Sequence, residues 1–122
     1  MILIDTSSWI HTLRPKGDSA VRARVEQALR EGLACWCPMI RLELWNGAGG
    51  EREKRVLRDL ERVLPELQID ANVWQAAYDL AFRARTAGVT IPASDLLIAA
   101  CGRYHGAALE TSDTDFDQLV NL

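Results

Sequence analysis

The sequence predicts an α/β fold in which helices flank a mainly parallel sheet. Short apolar segments alternate with longer stretches whose apolar residues recur at helical spacing. Strands that are separated by helices pair in parallel, through right-handed crossovers. The chain has 122 residues, 48% of them apolar, which is enough to bury a core. We therefore expect a single domain over residues 1–122.

The first part of the chain is expected to supply two strands joined by two helices. Residues 1–4 are an apolar run that ends at Asp5, and the polar residues that follow are typical of the start of a helix. Asp18 begins a second helix, in which apolar residues repeat at helical spacing until Gly32. Residues 33–37 are the second predicted strand.

The middle of the chain is predicted to be mostly helical. Pro38 suits the first turn of a third helix, which carries Glu43 and is interrupted by the glycine-rich residues 46–50. A charged helix with one apolar face covers roughly residues 51–63. Residues 67–69 are predicted to form a further short strand.

The last part of the chain adds two helices, a strand and a terminal helix. Asp70 caps a long helix, and Asp95 lies in the first turn of the next one. The apolar run at residues 96–101 fits a strand as well as a helix, but its alanine content and the length of the segment favour a helix. Residues 107–110 are predicted as a strand, and residues 111–116 begin the terminal helix.

Composition restricts the classes of function. The net charge of −3 argues against broad binding of nucleic acid by a basic surface, although bound divalent cations would reverse the sign of the field locally. No segment approaches the ~20 apolar residues that cross a bilayer, and the amino terminus lacks a signal peptide pattern. We expect a cytoplasmic protein with no membrane association. The three cysteines form no C-x-x-C pair, so neither a disulfide framework nor a zinc site is indicated.

Acidic residues occupy the positions where such a fold binds ligands. Asp5 and Asp113 follow predicted strands and Asp95 begins a helix, so all three are expected outside the carboxyl ends of the strands. Glu43 lies on a helical arc that otherwise faces the core, where an unpaired carboxylate is costly. Clustered carboxylates either take up protons or bind a cation, and oxygen ligands favour Mg²⁺ or Mn²⁺. These four acids are the candidate metal ligands and catalytic residues.

The same acids also suit purely structural roles or a different reaction. Each aspartate is an acceptable helix cap, a role worth ~1 kcal/mol, and Glu43 has the alternative of pairing with an arginine. A phosphotransferase or phosphatase that uses Asp5 as nucleophile is less favoured. Ser7 stands where the phosphatase version needs a second acid, and no lysine follows Lys54.

Basic residues near the first helix also have two interpretations. Arg14 and Lys16 follow that helix close to Asp5, where basic side chains would contact the phosphates of a bound nucleic acid. They are equally consistent with an ordinary solvated surface.

Four motifs in order carry a resemblance to a known family. They are Met1-Ile-Leu-Ile-Asp5-Thr6-Ser7, Glu43-Leu44-Trp45-Asn46-Gly47, Asp95-Leu-Leu-Ile-Ala-Ala100 and Thr111-Ser-Asp113-Thr-Asp115-Phe116. Each motif alone is weak, but together they span almost the whole chain. With them the sequence resembles the PIN-domain ribonucleases, and among these the VapC-type toxins of bacterial and archaeal toxin–antitoxin pairs.

The resemblance implies a fold and an activity. The fold is a PIN-like three-layer α/β arrangement with a central, mainly parallel sheet of four to five strands. The activity is that of a Mg²⁺- or Mn²⁺-dependent endoribonuclease, the toxin of a type II toxin–antitoxin system. The alternative is a catalytically inactive PIN-like domain that binds RNA or a partner.

The resemblance also implies site residues and partners. Four acids match the family's metal and catalytic residues, and three further residues match accessory positions: Asp5, Glu43, Asp95 and Asp113, then Thr6, Thr111 and Asp115. The expected partners are an RNA substrate, a second copy of the chain in a homodimer, and a cognate antitoxin whose carboxyl-terminal segment covers the acidic cleft.

Overall fold

The computed structural model describes residues 1–122 and contains three strands, six α-helices and a terminal 3-10 helix. In chain order the elements are β1 (Ile2–Ile4), α1 (Thr6–Leu13), α2 (Ser19–Arg30), β2 (Ala34–Cys35), α3 (Pro38–Gly47), α4 (Glu51–Val63), α5 (Ala71–Thr86), α6 (Ala93–Tyr104), β3 (Ala108–Glu110) and the 3-10 helix (Thr114–Leu119).

The sheet is entirely parallel, with β1 between β2 and β3. Leu3 is opposite Cys35 on one side and Leu109 on the other, and it is completely buried. Strand β1 ends immediately before Asp5, and β3 ends immediately before Thr111. Because the two strands are parallel neighbours in register, these two residues emerge side by side at the same edge of the sheet.

The sheet has three strands, so the expected number of four to five is wrong. The strand predicted at residues 67–69 does not form, and only Trp36 and Glu66 pair, as a single parallel bridge. Leu67 N–H donates to the Trp36 carbonyl at 2.8 Å, but the next donor of this ladder would be the N–H of residue 38, and Pro38 has none. The segment therefore leaves β2, and the Gln68 carbonyl lies 2.8 Å from a ring nitrogen of His105, just after α6.

The predicted helices are confirmed, and local chemistry explains where two of them begin. The carboxylate of Asp18 accepts the backbone N–H groups of Ala20 and Val21, at 2.8 and 3.0 Å. Asp70 caps α5 in the same way. Each such cap satisfies amide groups that have no partner inside the helix, which contributes about 1 kcal/mol.

Helix α6 is the central helix of the packing around the sheet. Its residues from Leu97 to Gly102 are all buried, since the helix contacts α5, α3 and β3. This explains why its apolar run lacks helical periodicity: a helix that is covered on every side has no polar face. A Cβ at Gly102 would lie 3.3 Å from Leu3 Cδ2, so α6 packs very closely on β1. Separately, no helix of this chain has the combined length and apolar character needed to span a membrane.

Candidate active site

Asp5 lies at the carboxyl end of β1 and is only 3% exposed. Its backbone N–H donates to the Glu110 carbonyl at 2.9 Å, which extends the pairing of β1 with β3 by one residue. Its side chain does not cap α1. Instead, Oδ2 accepts hydrogen bonds from the hydroxyls of Ser7 at 2.8 Å and Thr111 at 2.9 Å. The carboxylate is therefore held in a fixed orientation at the sheet edge.

Ser7 is a site residue that the sequence motifs did not assign. Besides donating to Asp5, its hydroxyl accepts the backbone N–H of Ser112 at 3.1 Å and lies 3.2 Å from Thr111 Oγ1. The signal available in the sequence was a hydroxyl within the first turn of the helix that follows Asp5. Ser7 joins the start of α1 to the segment after β3.

Glu43 reaches the same region from α3. Its Oε1 accepts a hydrogen bond from Thr6 Oγ1 at 2.9 Å. Burial raises the pKa of Glu43, the Thr6 hydrogen bond opposes the increase, and the charge of Asp5 adds to it. No arginine pairs with Glu43, because the nearby Arg41 binds Glu61 and Glu66 instead.

Asp95, Asp113 and Asp115 form the tightest acidic group. Each of the three contributes a carboxylate oxygen, and these oxygens lie within 4.8 Å of one another. Asp95 is the third residue of α6, is 8% exposed and does not cap the helix. Asp113 does cap the terminal 3-10 helix, by accepting the backbone N–H of Asp115 at 2.9 Å. The sequence offered helix capping as an alternative role for Asp5, Asp95 and Asp113. Of these three, only Asp113 caps a helix.

The electrostatics connect all five acids. The pKa of Asp95 is raised to about 7, mainly by burial and then by the charges of Asp113, Asp5, Asp115 and Glu43, in that order. No lysine, arginine or histidine forms an ion pair with any of the five. The cluster therefore has no positive charge of its own to balance it.

The structure brings every predicted site residue to one edge of the sheet. The strand ends place Asp5 and Thr111, the start of α1 places Thr6, and α3 and α6 place Glu43 and Asp95. The turn after β3 places Asp113 and Asp115. Asp115, which was predicted only as accessory, is part of the tightest group.

This arrangement defines a class of protein: a parallel α/β domain with a cluster of carboxylates, the type of ligand that hard cations prefer, outside the carboxyl ends of its strands. Comparison with known proteins specifies the family. The model of the PIN domain family matches residues 2–122. The chain is 36% identical over 126 aligned residues to ribonuclease VapC11 of Mycobacterium tuberculosis, an alignment that covers 100% of this chain and 93% of the relative. The chain therefore belongs to the PIN-domain family, within its VapC ribonuclease branch.

Solved structures agree on the fold. VapBC2 from Rickettsia felis, bound to a DNA fragment from the promoter, matches with a TM-score of 0.79 and 20% identity, over 100% of this chain and 96% of that one. FitAcB from Neisseria gonorrhoeae matches with a TM-score of 0.74 and 24% identity, over 98% of this chain and 93% of that one. The resemblance found in the sequence motifs and the PIN-like α/β fold are both confirmed.

Proposed function

We propose that this protein is an endoribonuclease that depends on a divalent cation and acts as the toxin of a type II toxin–antitoxin pair. One observation carries the proposal: five carboxylates converge at the sheet edge without a balancing positive charge. The chain in which they converge is similar over its whole length to proteins named VapC ribonucleases. Such a cluster is costly for the fold unless it binds a cation.

The donor set fits Mg²⁺ or Mn²⁺. Every candidate ligand is a carboxylate oxygen, and the group formed by Asp95, Asp113 and Asp115 is compact enough for its members to share an ion. We assign Asp5 and Glu43 to the same site, because the charges of both raise the pKa of Asp95. When bound, such an ion polarises a phosphodiester and makes a water molecule a stronger nucleophile at neutral pH.

The remaining polar residues orient the acids. Ser7 and Thr111 fix one oxygen of Asp5, and Thr6 fixes one oxygen of Glu43. Outer hydrogen bonds of this kind hold carboxylates in position for a cation. Neither histidine is placed for proton transfer at this edge: His11 Nδ1 accepts the Asp18 N–H, and the His105 ring is bonded to the Gln68 carbonyl.

The partners follow from the same comparison. The similar solved structures include VapBC complexes, so we propose that a cognate antitoxin binds this chain and that its carboxyl-terminal segment covers the acidic cleft. Homodimer formation and a cytoplasmic location stay predictions. We also propose that residues 1–122 fold as one unit, since their buried apolar side chains form one cluster.

The test is an RNA cleavage assay with protein that has been freed of copurified antitoxin. Structured and single-stranded RNA are incubated with Mg²⁺, Mn²⁺ or EDTA, with Asp5→Asn as the site variant and Asp79→Asn, on the exposed surface of α5, as the matched control. We expect cleavage only with a divalent cation, lost in Asp5→Asn and retained in the control. Cleavage in EDTA, or unchanged cleavage by Asp5→Asn, would contradict the proposal.

Thermal denaturation provides a readout that does not depend on finding the right RNA. A cation that binds only the native state raises the melting temperature by mass action. A shift with Mn²⁺ that is reduced in Asp5→Asn, without cleavage of any RNA, would favour the alternative domain that binds RNA or a partner without cutting it. No shift at all would contradict the metal site itself.

A further inference from the structure

A notch opens beside the acidic edge, between α1, α3 and α4. Its apolar wall is formed by Ile10, Leu13 and Leu44, and its rim carries Arg14, Glu43 and Glu53. The notch is shallow and open to solvent: its cavity volume of about 40 Å³ holds only a few water molecules, so a larger ligand lies against the apolar wall and is not enclosed by it. Because Glu43 belongs both to this notch and to the acidic site, a ligand in the notch lies directly beside whatever is bound at the site.

The turn that presents Arg14 is held rigidly. The Arg22 guanidinium donates to three backbone carbonyls of this turn, those of His11, Arg14 and Pro15. Gly17 packs against the end of α1 so closely that a Cβ there would overlap the His11 carbonyl oxygen. The backbone of residues 14–17 thus has little freedom, and the position from which Arg14 reaches out is defined.

Arg14 is the one basic residue that lines the notch, and its side chain forms neither a hydrogen bond nor an ion pair within the chain. The two arginines that follow it are both engaged: Arg22 binds the turn, and Arg24 binds Glu110 at 2.7 Å. Glu53, on the opposite rim, likewise has no ion-pair partner. The notch therefore offers a free cation, a free acceptor and an apolar wall.

We infer that Arg14 and this notch bind the nucleotide next to the scissile phosphate of the RNA substrate. The inference rests on the proposed function. A guanidinium binds phosphate through paired N–H donors, and a phosphate contact positions the strand without reading its sequence. The apolar wall takes the face of an unstacked base, and the Glu53 carboxylate accepts from an amino group at the edge of that base.

The occupant is assigned as RNA because the notch is continuous with the site that holds the reacting phosphate. Phosphates follow one another along an RNA strand, so a basic side chain next to the acidic site would contact the phosphate that neighbours the reacting one. Arg14 is the only basic side chain that lines the notch.

The first experiment measures binding in the absence of cleavage. A short fluorescein-labelled single-stranded RNA is titrated with the Asp95→Asn variant in Mn²⁺ at increasing KCl, with and without Arg14→Gln, and anisotropy is recorded. Loss of one phosphate contact should reduce the slope of log K against log [KCl] by about 0.7. Arg14→Lys should restore most of the slope because the charge remains. Arg30→Gln, an exposed arginine at the opposite end of α2, is the matched control and should leave the slope unchanged.

The second experiment separates the base from the phosphate. Leu13→Ala, in the same Asp95→Asn background, should weaken binding of the RNA several-fold but leave binding of an abasic ribose–phosphate oligomer of the same length unaltered. In the active protein, Arg14→Gln should raise KM by about tenfold, equivalent to ~1.4 kcal/mol of binding free energy, with a smaller effect on kcat.

The outcomes distinguish this inference from the proposed function. An unchanged salt slope in Arg14→Gln would overturn the inference whether or not the protein cleaves RNA. If Arg14→Gln lost antitoxin binding but kept RNA binding, the inference would also be overturned, and the notch would be assigned to the partner protein. If the salt slope depends on Arg14 in a protein that cuts no RNA, the result would support RNA binding in the notch and contradict the proposed endoribonuclease activity.

Discussion

Replacing Asp95 with asparagine should stabilise the metal-free protein at neutral pH, and the gain should disappear in acid. Burial, followed by the charge of Asp113, raises the pKa of Asp95 from 3.8 to about 7. A carboxyl group with a higher pKa in the folded state binds more protons there than in the unfolded state between those two pH values. The free energy of unfolding therefore falls as pH rises from about 4 to about 7.

The magnitude follows from the size of the pKa shift. A change from 3.8 to about 7, at 1.36 kcal/mol per pKa unit, corresponds to ~4 kcal/mol. The cluster opens to solvent, which screens its charges, so we expect about half of this, ~2 kcal/mol. Asparagine keeps the size of the side chain and removes its charge. Asp95→Asn should thus gain ~2 kcal/mol at about pH 8, or roughly 8 °C in melting temperature for a domain of this size, and little at about pH 4.

The assay is urea unfolding followed by circular dichroism in EDTA, across this pH range. Asp79→Asn, which removes an exposed carboxylate from α5, is the control and should stay within about 0.5 kcal/mol of the unmodified protein. Addition of Mn²⁺ should reverse the ranking at neutral pH, since the unmodified protein binds the ion more tightly. A difference that does not depend on pH, or a variant that is less stable at about pH 8, would refute the account of Asp95 as an uncompensated charge.

Three further predictions test the site and its surroundings. Ser7→Ala should weaken Mn²⁺ binding by about tenfold in calorimetric titration, because it removes a hydroxyl that orients Asp5. Ser8→Ala removes a buried hydroxyl that donates to Glu110 and to none of the five acids, so it should leave the affinity unchanged. Equal affinities for the unmodified protein and both variants would contradict the role of Ser7. Gly17→Ala should lower the free energy of unfolding by about 2–3 kcal/mol in chemical denaturation, because its new Cβ would overlap a backbone oxygen. In Gly49→Ala the new Cβ meets no other atom, so this control should leave the free energy of unfolding nearly unchanged. All three cysteines are buried, so iodoacetamide should label them only on unfolding, and rapid labelling of the native protein would show that the core around them opens.

Local signals made the helices predictable. The carboxylates of Asp18 and Asp70 bind amides two and three residues further along the chain, so each cap is visible within a few letters of sequence. The same is true of Pro38 in the first turn of α3. The position of Asp5 was predictable for a related reason, since it directly follows a parallel strand and such residues emerge at the edge where α/β folds bind ligands.

Features that depend on distant contacts were not predictable. Residues 67–69 stay outside the sheet because the Trp36–Glu66 bridge, between residues 30 positions apart, places them beside Pro38, which has no N–H to donate. Ser7 acquires its role from Ser112, 105 positions away. Both contacts exist only once distant segments have been placed beside β1 and β2, so no pattern near either residue announces them.

A basic side chain is present next to the acidic cluster, but it pairs with a carboxylate outside the cluster. Glu110, the last residue of β3, lies at the same edge as Asp5 and is fully satisfied: Arg24 binds one of its oxygens and Ser8 the other. In the neighbouring cluster, Asp5, Glu43 and Asp113 accept from hydroxyl or amide donors, and none of the five acids is paired with a basic side chain. The fold thus neutralises the carboxylate that belongs to its framework and leaves the adjacent cluster to be neutralised by something else. Under the proposed function, a divalent cation that binds there would remove the repulsion for which Asp95 costs stability, and this relief would contribute to the binding free energy.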